Sequence, residues 1–281
     1  MSAHPLLEST SVGDLRRYLD TVGTVFRVFD RQDSGCVSYG VAVDAERWFV
    51  KTSTTPPARR ALGRAVTFHA AVRHPVIIGL RARFVARAEP VLVYPWVDGV
   101  LLHHATVDRG LPRRDPASAW SRFRRLPVAQ VEAAMDAIFD AHLAVDRAGF
   151  VASDLYDGCF LYDFKRRLMR LLDFDEFRPG PFVATEPPCG SSRFMAPEEV
   201  LGGTFDRRTT VFTLGRAARL LLTPATTRRP GGGPLASSRS CTGRPGPTRP
   251  TGTPTSATSS RPGAPPRREP GVGRASARMG A

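Results

Sequence analysis

Short apolar stretches rich in β-branched and aromatic side chains dominate the first hundred residues. Two of them, 35–43 (GCVSYGVAV) and 47–52 (RWFVKT), are separated by a polar turn and predict a β-hairpin. The stretch 57–73 starts with proline and predicts a helix, whereas 14–29 joins a short helical pattern to a strand-like end. Further buried strands are predicted at 76–80 and 90–97.

Near residue 128 the spacing of the apolar residues changes to the period of a helix. Within 128–148 the apolar residues recur at the spacing of one helical face, and Gly149 stands where a helix C-cap belongs. The predicted apolar face consists of Val131, Met135, Ile138, Phe139 and Leu143. Two short strands are predicted at 160–162 and 168–172. Strands first and helices later indicate an α+β architecture of two lobes.

The last part of the chain, 224–281, has a different composition. It holds 11 of the 25 prolines, no aromatic residue, and ten Arg against one acid, so it carries +9 of the formal net charge of +14. A segment of this kind cannot bury enough apolar surface to offset the entropy of ordering, and we expect disorder. A translated frameshift would give the same texture, a hypothesis that resequencing of the gene would test. Because no aromatic residues interleave with the charges, we expect no nucleic-acid partner.

Cysteine spacing and hydropathy bear on the compartment. The four cysteines lie far apart with no C-x-x-C pair, which argues against a zinc site or a disulfide scaffold. The N-terminus shows no signal-peptide pattern, and no stretch reaches the roughly 18 apolar residues of a membrane helix. We therefore expect a cytoplasmic protein.

Five short segments match, in order, the signature motifs of protein kinases. They are FVK (49–51), ASDL (152–155), LLDFD (171–175), GSSRFMAPEE (190–199) and TVFTLG (210–215). The fourth is the most specific, because small-molecule phosphotransferases share the fold and the two aspartates but lack A-P-E. Over roughly residues 24–223 the chain resembles a bacterial, actinobacterial-type serine/threonine protein kinase, divergent and C-terminally truncated.

This resemblance implies a role for each matched residue. Lys51, one of only two lysines in the chain, would bind the α- and β-phosphates of ATP. Asp173 would hold Mg²⁺, and Asp154 would accept the proton of the substrate hydroxyl. Ala196, Pro197 and Glu198 would be structural residues of the activation segment. ATP, Mg²⁺ and a protein substrate that the sequence does not identify are the implied ligands.

The nucleotide pocket is implied by two further segments. Gly35 and Val37 match the end of the glycine-rich loop that covers the phosphates, but Asp30 and Gln32 replace its first two glycines. Tyr94 and Trp96 match the segment after the fifth strand, with Trp96 facing the adenine edge.

Several positions depart from the kinase pattern. The helix 57–73 contains no acid, and Ala65 stands where a glutamate normally pairs with the lysine. Either another group holds Lys51, with Asp173 as the first candidate, or the active arrangement is incomplete. Cys159 replaces the asparagine that binds a second Mg²⁺, so Asp157 or Asp163 would have to supply that oxygen unless both are ordinary loop acids.

Three more departures lie further along the chain. Asp175 replaces the glycine of D-F-G, Thr210 replaces the aspartate that anchors the helix near 210, and Glu198 has no evident arginine partner. The expected organisation is an N-terminal extension (1–23), an N-lobe (24–98), a C-lobe lacking its last helices (99–223) and the tail (224–281). The implied function is ATP-dependent phosphorylation of protein serine or threonine. The alternative is a pseudokinase, a binding module with little or no activity.

Overall fold

The structure is a computed structural model that describes residues 4–31, 34–103, 111–185 and 190–223. Gln32 and the segment 224–281, on which two of the expectations above depend, lie outside these residues. The helices of the described parts are α1 (Pro5–Glu8), α2 (Leu15–Val22), α3 (Pro56–Ala71), α4 (Ala119–Phe123), α5 (Val128–Arg147), α6 (Pro197–Leu201) and α7 (Arg207–Leu222).

The strands are short apart from those of one large sheet. They are β1 (Ser11–Val12), β2 (Thr24–Phe29), β3 (Cys36–Val43), β4 (Glu46–Ser53), β5 (Ala82–Ala86), β6 (Glu89–Pro95), β7 (Val100–Leu101), β8 (Phe150–Val151), β9 (Phe160–Asp163), β10 (Leu168–Leu171), β11 (Arg178–Pro179), β12 (Phe182–Val183) and β13 (Thr204–Phe205). A single 3-10 turn, Asp157–Cys159, precedes β9.

The N-terminal half is built on a six-stranded sheet with strand order β1-β5-β6-β4-β3-β2. Helices α1 and α2, which belong to the segment 1–23, cover one face, where Leu6 and Leu19 pack with Val50 in one apolar cluster. Helix α3 covers part of the other face, where Leu62 packs against Leu92. Thr55 begins α3 as its N-cap, its hydroxyl accepting a hydrogen bond from the backbone of Ala58.

Most of the elements predicted in this half are present. The hairpin is confirmed as β3 and β4, and the predicted helix 57–73 is α3. The strand predicted at 76–80 is wrong, since this apolar run has no regular structure beyond one isolated bridge from Ile77 to Leu171. Strand β5 was not predicted, because Arg83 interrupts its short apolar run and Arg81 and Arg87 flank it.

The C-terminal half is organised around α5. Val131, Met135 and Ile138 of the predicted apolar face are buried, whereas Leu143 is 51% exposed and lies off that face. The helix ends before Gly149, whose φ of +74° is the left-handed conformation that a C-terminal glycine supplies. Helix α7 packs beside α5 in the same core, with Ala217 and Leu221 buried. None of the described helices has the length and apolar character that crossing a bilayer requires.

A buried histidine in α5 makes the stability of this core dependent on pH. His142 is 3% exposed, and burial lowers its pKa from 6.5 to about 4. The unfolded chain therefore binds a proton more readily than the folded one, so this contribution to stability is complete above about pH 6.5 and is lost as pH falls toward 4. We expect His142→Leu to remove up to about 3 kcal/mol of acid destabilisation, measured as the difference in unfolding free energy between pH 7 and pH 4.5. An equal pH dependence in the variant and the wild type would contradict this assignment.

Candidate active site

Lys51 lies in the middle of the large sheet, on strand β4 between β3 and β6. Its Nζ is 2.9 Å from Oδ1 of Asp173 and 2.5 Å from Oδ2 of Asp175. Burial opposes the charge of the ammonium group, but the two carboxylates outweigh it and raise the pKa of Lys51 well above its usual value. The lysine is therefore a buried cation held by two acids from one distant segment.

That segment follows β10. Asp173 has a φ of +68°, a left-handed conformation that aspartate tolerates better than most residues. The next residue, Phe174, stacks on Phe68 of α3 with ring centroids 4.4 Å apart. The phenylalanine thus fixes the segment against α3 while the acids on either side of it reach Lys51.

Asp154 lies on the loop between β8 and the 3-10 turn. Its φ is +58°, and within the described parts of the chain its buried Oδ1 has no hydrogen-bond partner. Burial, with the negative charges of Asp173 and Glu176 next in size, raises the pKa of Asp154 well above its usual value. A buried carboxylate with an unused oxygen is suited to accept a proton.

Three hydrogen bonds and one close approach fix the loop of Asp154. The backbone N–H of Ala152 donates to Oγ1 of Thr210 at 2.9 Å, and the Ser153 hydroxyl donates to the carbonyl of Glu176 at 2.6 Å. The Cys159 thiol donates to the Asp154 carbonyl at 3.5 Å. Gly190 passes so close that a Cβ there would lie 2.0 Å from Oδ1 of Asp154, so only glycine fits without displacing the carboxylate.

The A-P-E residues lie at the start of α6 and contact α7. Pro197 opens α6, and the buried Glu199 accepts hydrogen bonds from the backbone N–H of Ala196 at 2.6 Å and from the Thr213 hydroxyl at 3.5 Å. Glu198, for which the sequence offers no evident arginine, accepts a hydrogen bond from the hydroxyl of Thr209 at 2.6 Å. Glu198 and Glu199 therefore fasten α6 to the first turns of α7, and the partner of Glu198 is a hydroxyl.

Asp157 is not placed as a metal ligand. It is fully buried, and both of its oxygens accept hydrogen bonds from Arg113, at 2.6 Å from Nε and 2.9 Å from Nη2. Oδ1 of Asp163 accepts the backbone N–H groups of Lys165 and Arg166, both at 2.9 Å, as a turn-forming aspartate does. Both acids that the sequence offered as substitutes for the missing asparagine thus have structural contacts.

The register of the hairpin decides on which face of the sheet Val37 lies. Ser38 pairs with Lys51 and Val37 with Thr52, and directly paired residues of antiparallel strands share a face. Val37 therefore points to the face opposite Lys51, and its neighbour Cys36 lies on the face of the lysine. Gly35 has a φ of +71°, and its carbonyl accepts hydrogen bonds from both the N–H and the hydroxyl of Thr54 at 2.9 Å.

The residues expected to meet the adenine form part of an aromatic cluster. Tyr94 is 9% exposed and lies beneath α3, where its ring contacts His69. Trp96 is half-buried against Phe26, with ring centroids 4.8 Å apart, and its backbone N–H donates to the carbonyl of Arg47 at 2.9 Å. Phe49, which the sequence analysis did not single out, lies two residues before Lys51 on the same face and contacts both Tyr94 and Trp96.

Helix α3 approaches the acidic segment through a basic residue. Ala65 is fully buried, but the preceding Arg64 donates from Nε to the backbone carbonyl of Asp175 at 2.8 Å and from Nη2 to Oε1 of Glu176. Glu176 also accepts a hydrogen bond from Arg178 at 2.8 Å. Sequence reasoning missed Arg64 and Glu176. The available signal was an acid-rich stretch, 173–176, in a chain whose α3 carries only basic charges.

The donor chemistry of the site suits Mg²⁺ in part. Hard cations prefer oxygen, and Mg²⁺ is commonly held by one or two carboxylates together with substrate phosphates. Asp173, whose side chain is 32% exposed, is the accessible carboxylate. Cys159 is a poor ligand for such an ion. Among the described residues no group of three or more His, Cys, Asp or Glu side chains could hold a metal alone.

Comparison with known proteins gives a structural likeness without a sequence relative. No family model matches the chain, and no curated protein matches it. Solved structures do match, in 1852 chains. One is the kinase PK-1 of the Cydia pomonella granulovirus, which is 16% identical with a TM-score of 0.56, over 73% of this chain and 70% of that chain. The chain therefore has a protein-kinase-like α+β fold of two lobes.

Proposed function

We propose that the chain is a protein kinase that transfers the γ-phosphoryl group of ATP to a serine or threonine hydroxyl of another protein. The observation that carries this proposal is the buried ion pair between Lys51 and Asp173, 2.9 Å long, which joins residues 122 positions apart. A lysine on the phosphates and a carboxylate on the metal are the two charged groups that phosphoryl transfer requires together. The protein-kinase-like fold supports the same proposal.

Each residue has one task in this reaction. Lys51 binds the phosphates, and the aromatic cluster of Phe49 and Trp96 offers a flat surface to the base. Asp154 takes the proton of the substrate hydroxyl while the hydroxyl oxygen forms a bond to the γ-phosphorus. The bond from that phosphorus to the bridging oxygen breaks, and ADP leaves with the electron pair. Mg²⁺ held by Asp173 would neutralise the phosphate charge.

A second candidate function is a pseudokinase that binds partners without catalysis. It is favoured by the buried Cys159, which takes the place of a metal-binding asparagine and has its thiol on the carbonyl of Asp154. It is also favoured by the absence of an acid from α3, whose sequence is PPARRALGRAVTFHAA.

A thermal-shift titration with ATP, with and without Mg²⁺, tests the proposal. We expect a Mg²⁺-dependent rise in melting temperature that Lys51→Ala and Asp173→Ala remove, because ligand binding to the native state stabilises it by mass action. Lys165→Ala is the matched control, since Lys165 is the only other lysine and is exposed. Absence of any shift in a wild-type sample that melts cooperatively would favour the pseudokinase.

A further inference from the structure

We propose that Asp175 is the carboxylate that positions Lys51, and that Arg64 of α3 holds Asp175 in place through its backbone carbonyl and through Glu176. Helix α3 and Lys51 are thus linked indirectly. The helix carries the cation, Arg64, which contacts Asp175 and Glu176, and Asp175 in turn contacts the lysine. This inference deepens the proposed function and rests on it, because it assigns the partner of the phosphate-binding lysine.

The two acids on Lys51 differ in their surroundings. The Asp175 side chain is 13% exposed and the Asp173 side chain 32%, while the Lys51 side chain between them is 11% exposed. A carboxylate buried to this degree is stable as an ion only when a cation is bound to it. Asp175 is therefore dedicated to Lys51, and the more exposed Asp173 remains the acid that can meet solvent, phosphate and metal.

Helix α3 cannot supply that carboxylate. Its ionisable residues are Arg59, Arg60, Arg64 and His69, so a conventional pair with Lys51 would bring like charges together. The helix instead donates hydrogen bonds from Arg64 to the segment that carries Asp175. Arg64 spans two residues of it, with Nε on the carbonyl of Asp175 at 2.8 Å and Nη2 on the carboxylate of Glu176.

Residues 173–176 also contact the loop of Asp154, the proposed general base. The carbonyl of Glu176 accepts the Ser153 hydroxyl at 2.6 Å, one residue before Asp154. Residues 173–176 therefore connect Lys51, α3 and the loop of Asp154. Displacement of α3 would withdraw Arg64 from Glu176 and leave the backbone of Asp175 without its fixed donor.

A charge-exchange experiment tests the link between α3 and the segment. Arg64→Glu and Glu176→Arg each place like charges in contact, and we expect each to lower the melting temperature of the nucleotide-free protein and to weaken Mg²⁺·ATP binding. The double variant restores an opposite pair at 64 and 176, but neither the bond to the Asp175 carbonyl nor the contact with Arg178, so it should recover part of both quantities relative to the single variants, an interaction that a double-mutant cycle measures. Arg83→Glu, at an exposed position of β5, controls for the change in net charge.

Substitutions of Asp175 test its positioning role. We expect Asp175→Asn to weaken Mg²⁺·ATP binding by about 10–100-fold, the usual loss when a group that orients a ligand-binding side chain is removed. Asp175→Glu should bind more tightly than the asparagine variant, since it keeps the charge, whereas a purely steric role would favour the isosteric asparagine. The inference would be overturned if Asp175→Asn bound Mg²⁺·ATP with wild-type affinity. It would also be overturned if the double variant of Arg64 and Glu176 had no higher melting temperature and no tighter Mg²⁺·ATP binding than the single variants. If the wild type fails to bind Mg²⁺·ATP, the proposed function fails. The melting temperatures of the nucleotide-free single and double variants still decide whether Arg64 and Glu176 are coupled.

Discussion

Replacement of Asp154 by asparagine is expected to lower phosphoryl transfer by about 10²–10⁴-fold, the range that a positioned general base contributes. The same change should leave the Mg²⁺·ATP thermal shift intact, because the proposed function assigns nucleotide and metal binding to Lys51 and Asp173. It should also raise the melting temperature. The folded-state pKa of Asp154 lies above its unfolded value, so the ionised carboxylate destabilises the fold at neutral pH, and asparagine removes that penalty.

The measurement is transfer from ATP labelled at the γ-phosphate to casein as a general acceptor, run beside a melting curve. Asp140→Asn, on the exposed side of α5, is the matched control and should change neither quantity. Unchanged transfer in the Asp154→Asn variant would remove this residue from the chemistry. Loss of the nucleotide shift would instead show that it acts on binding.

Arg113→Ala is expected to destabilise the protein by about 3–5 kcal/mol, the range found when one member of a buried ion pair is deleted. The guanidinium side chain is 20% exposed and its partner Asp157 is fully buried, so the alanine variant leaves a carboxylate in the core without a counter-ion. The measurement is the free energy of unfolding in urea at neutral pH. The Mg²⁺·ATP shift should survive wherever the variant remains folded, since Asp157 holds no metal in this arrangement.

Two comparisons make this result specific. Arg114→Ala removes the adjacent, exposed arginine and should cost little. Arg113→Met combined with Asp157→Leu replaces the whole pair by apolar groups and should recover much of the loss. A small effect of Arg113→Ala, comparable to that of Arg114→Ala, would contradict the structural role of the pair.

The sequence identified candidate site residues where a short motif surrounds them. Lys51, Asp154 and Asp173 each stand in a recognisable local context, and the structure brings Lys51 and Asp173 into contact. The hairpin and α5 were also predictable, because their periods of two and 3.6 residues lie entirely within one segment.

The partners of these residues were not predictable, because they depend on contacts between distant segments. Arg64 and Glu176 are 112 residues apart, and no local pattern pairs them. The face on which Val37 lies was not predictable either, since a shift of one residue in strand register exchanges the two faces of a strand. The run at 76–80 is apolar enough for a strand, but Val76 and Ile77 are buried with only one isolated bridge, from Ile77 to Leu171, in place of a strand ladder.

The bond from Ala152 to Thr210 has a consequence for the order in which the chain matures. It spans 58 residues and fastens the backbone beside Asp154 to α7, a helix near the end of the described chain. During synthesis the loop emerges from the ribosome well before its anchor, and contacts of such long range form late in folding. Asp154, the proposed base, therefore acquires its fixed backbone only after α7 has left the ribosome and packed against the loop. A nascent chain that has already folded its N-terminal sheet would have Lys51 on its strand before the loop of Asp154 is fixed.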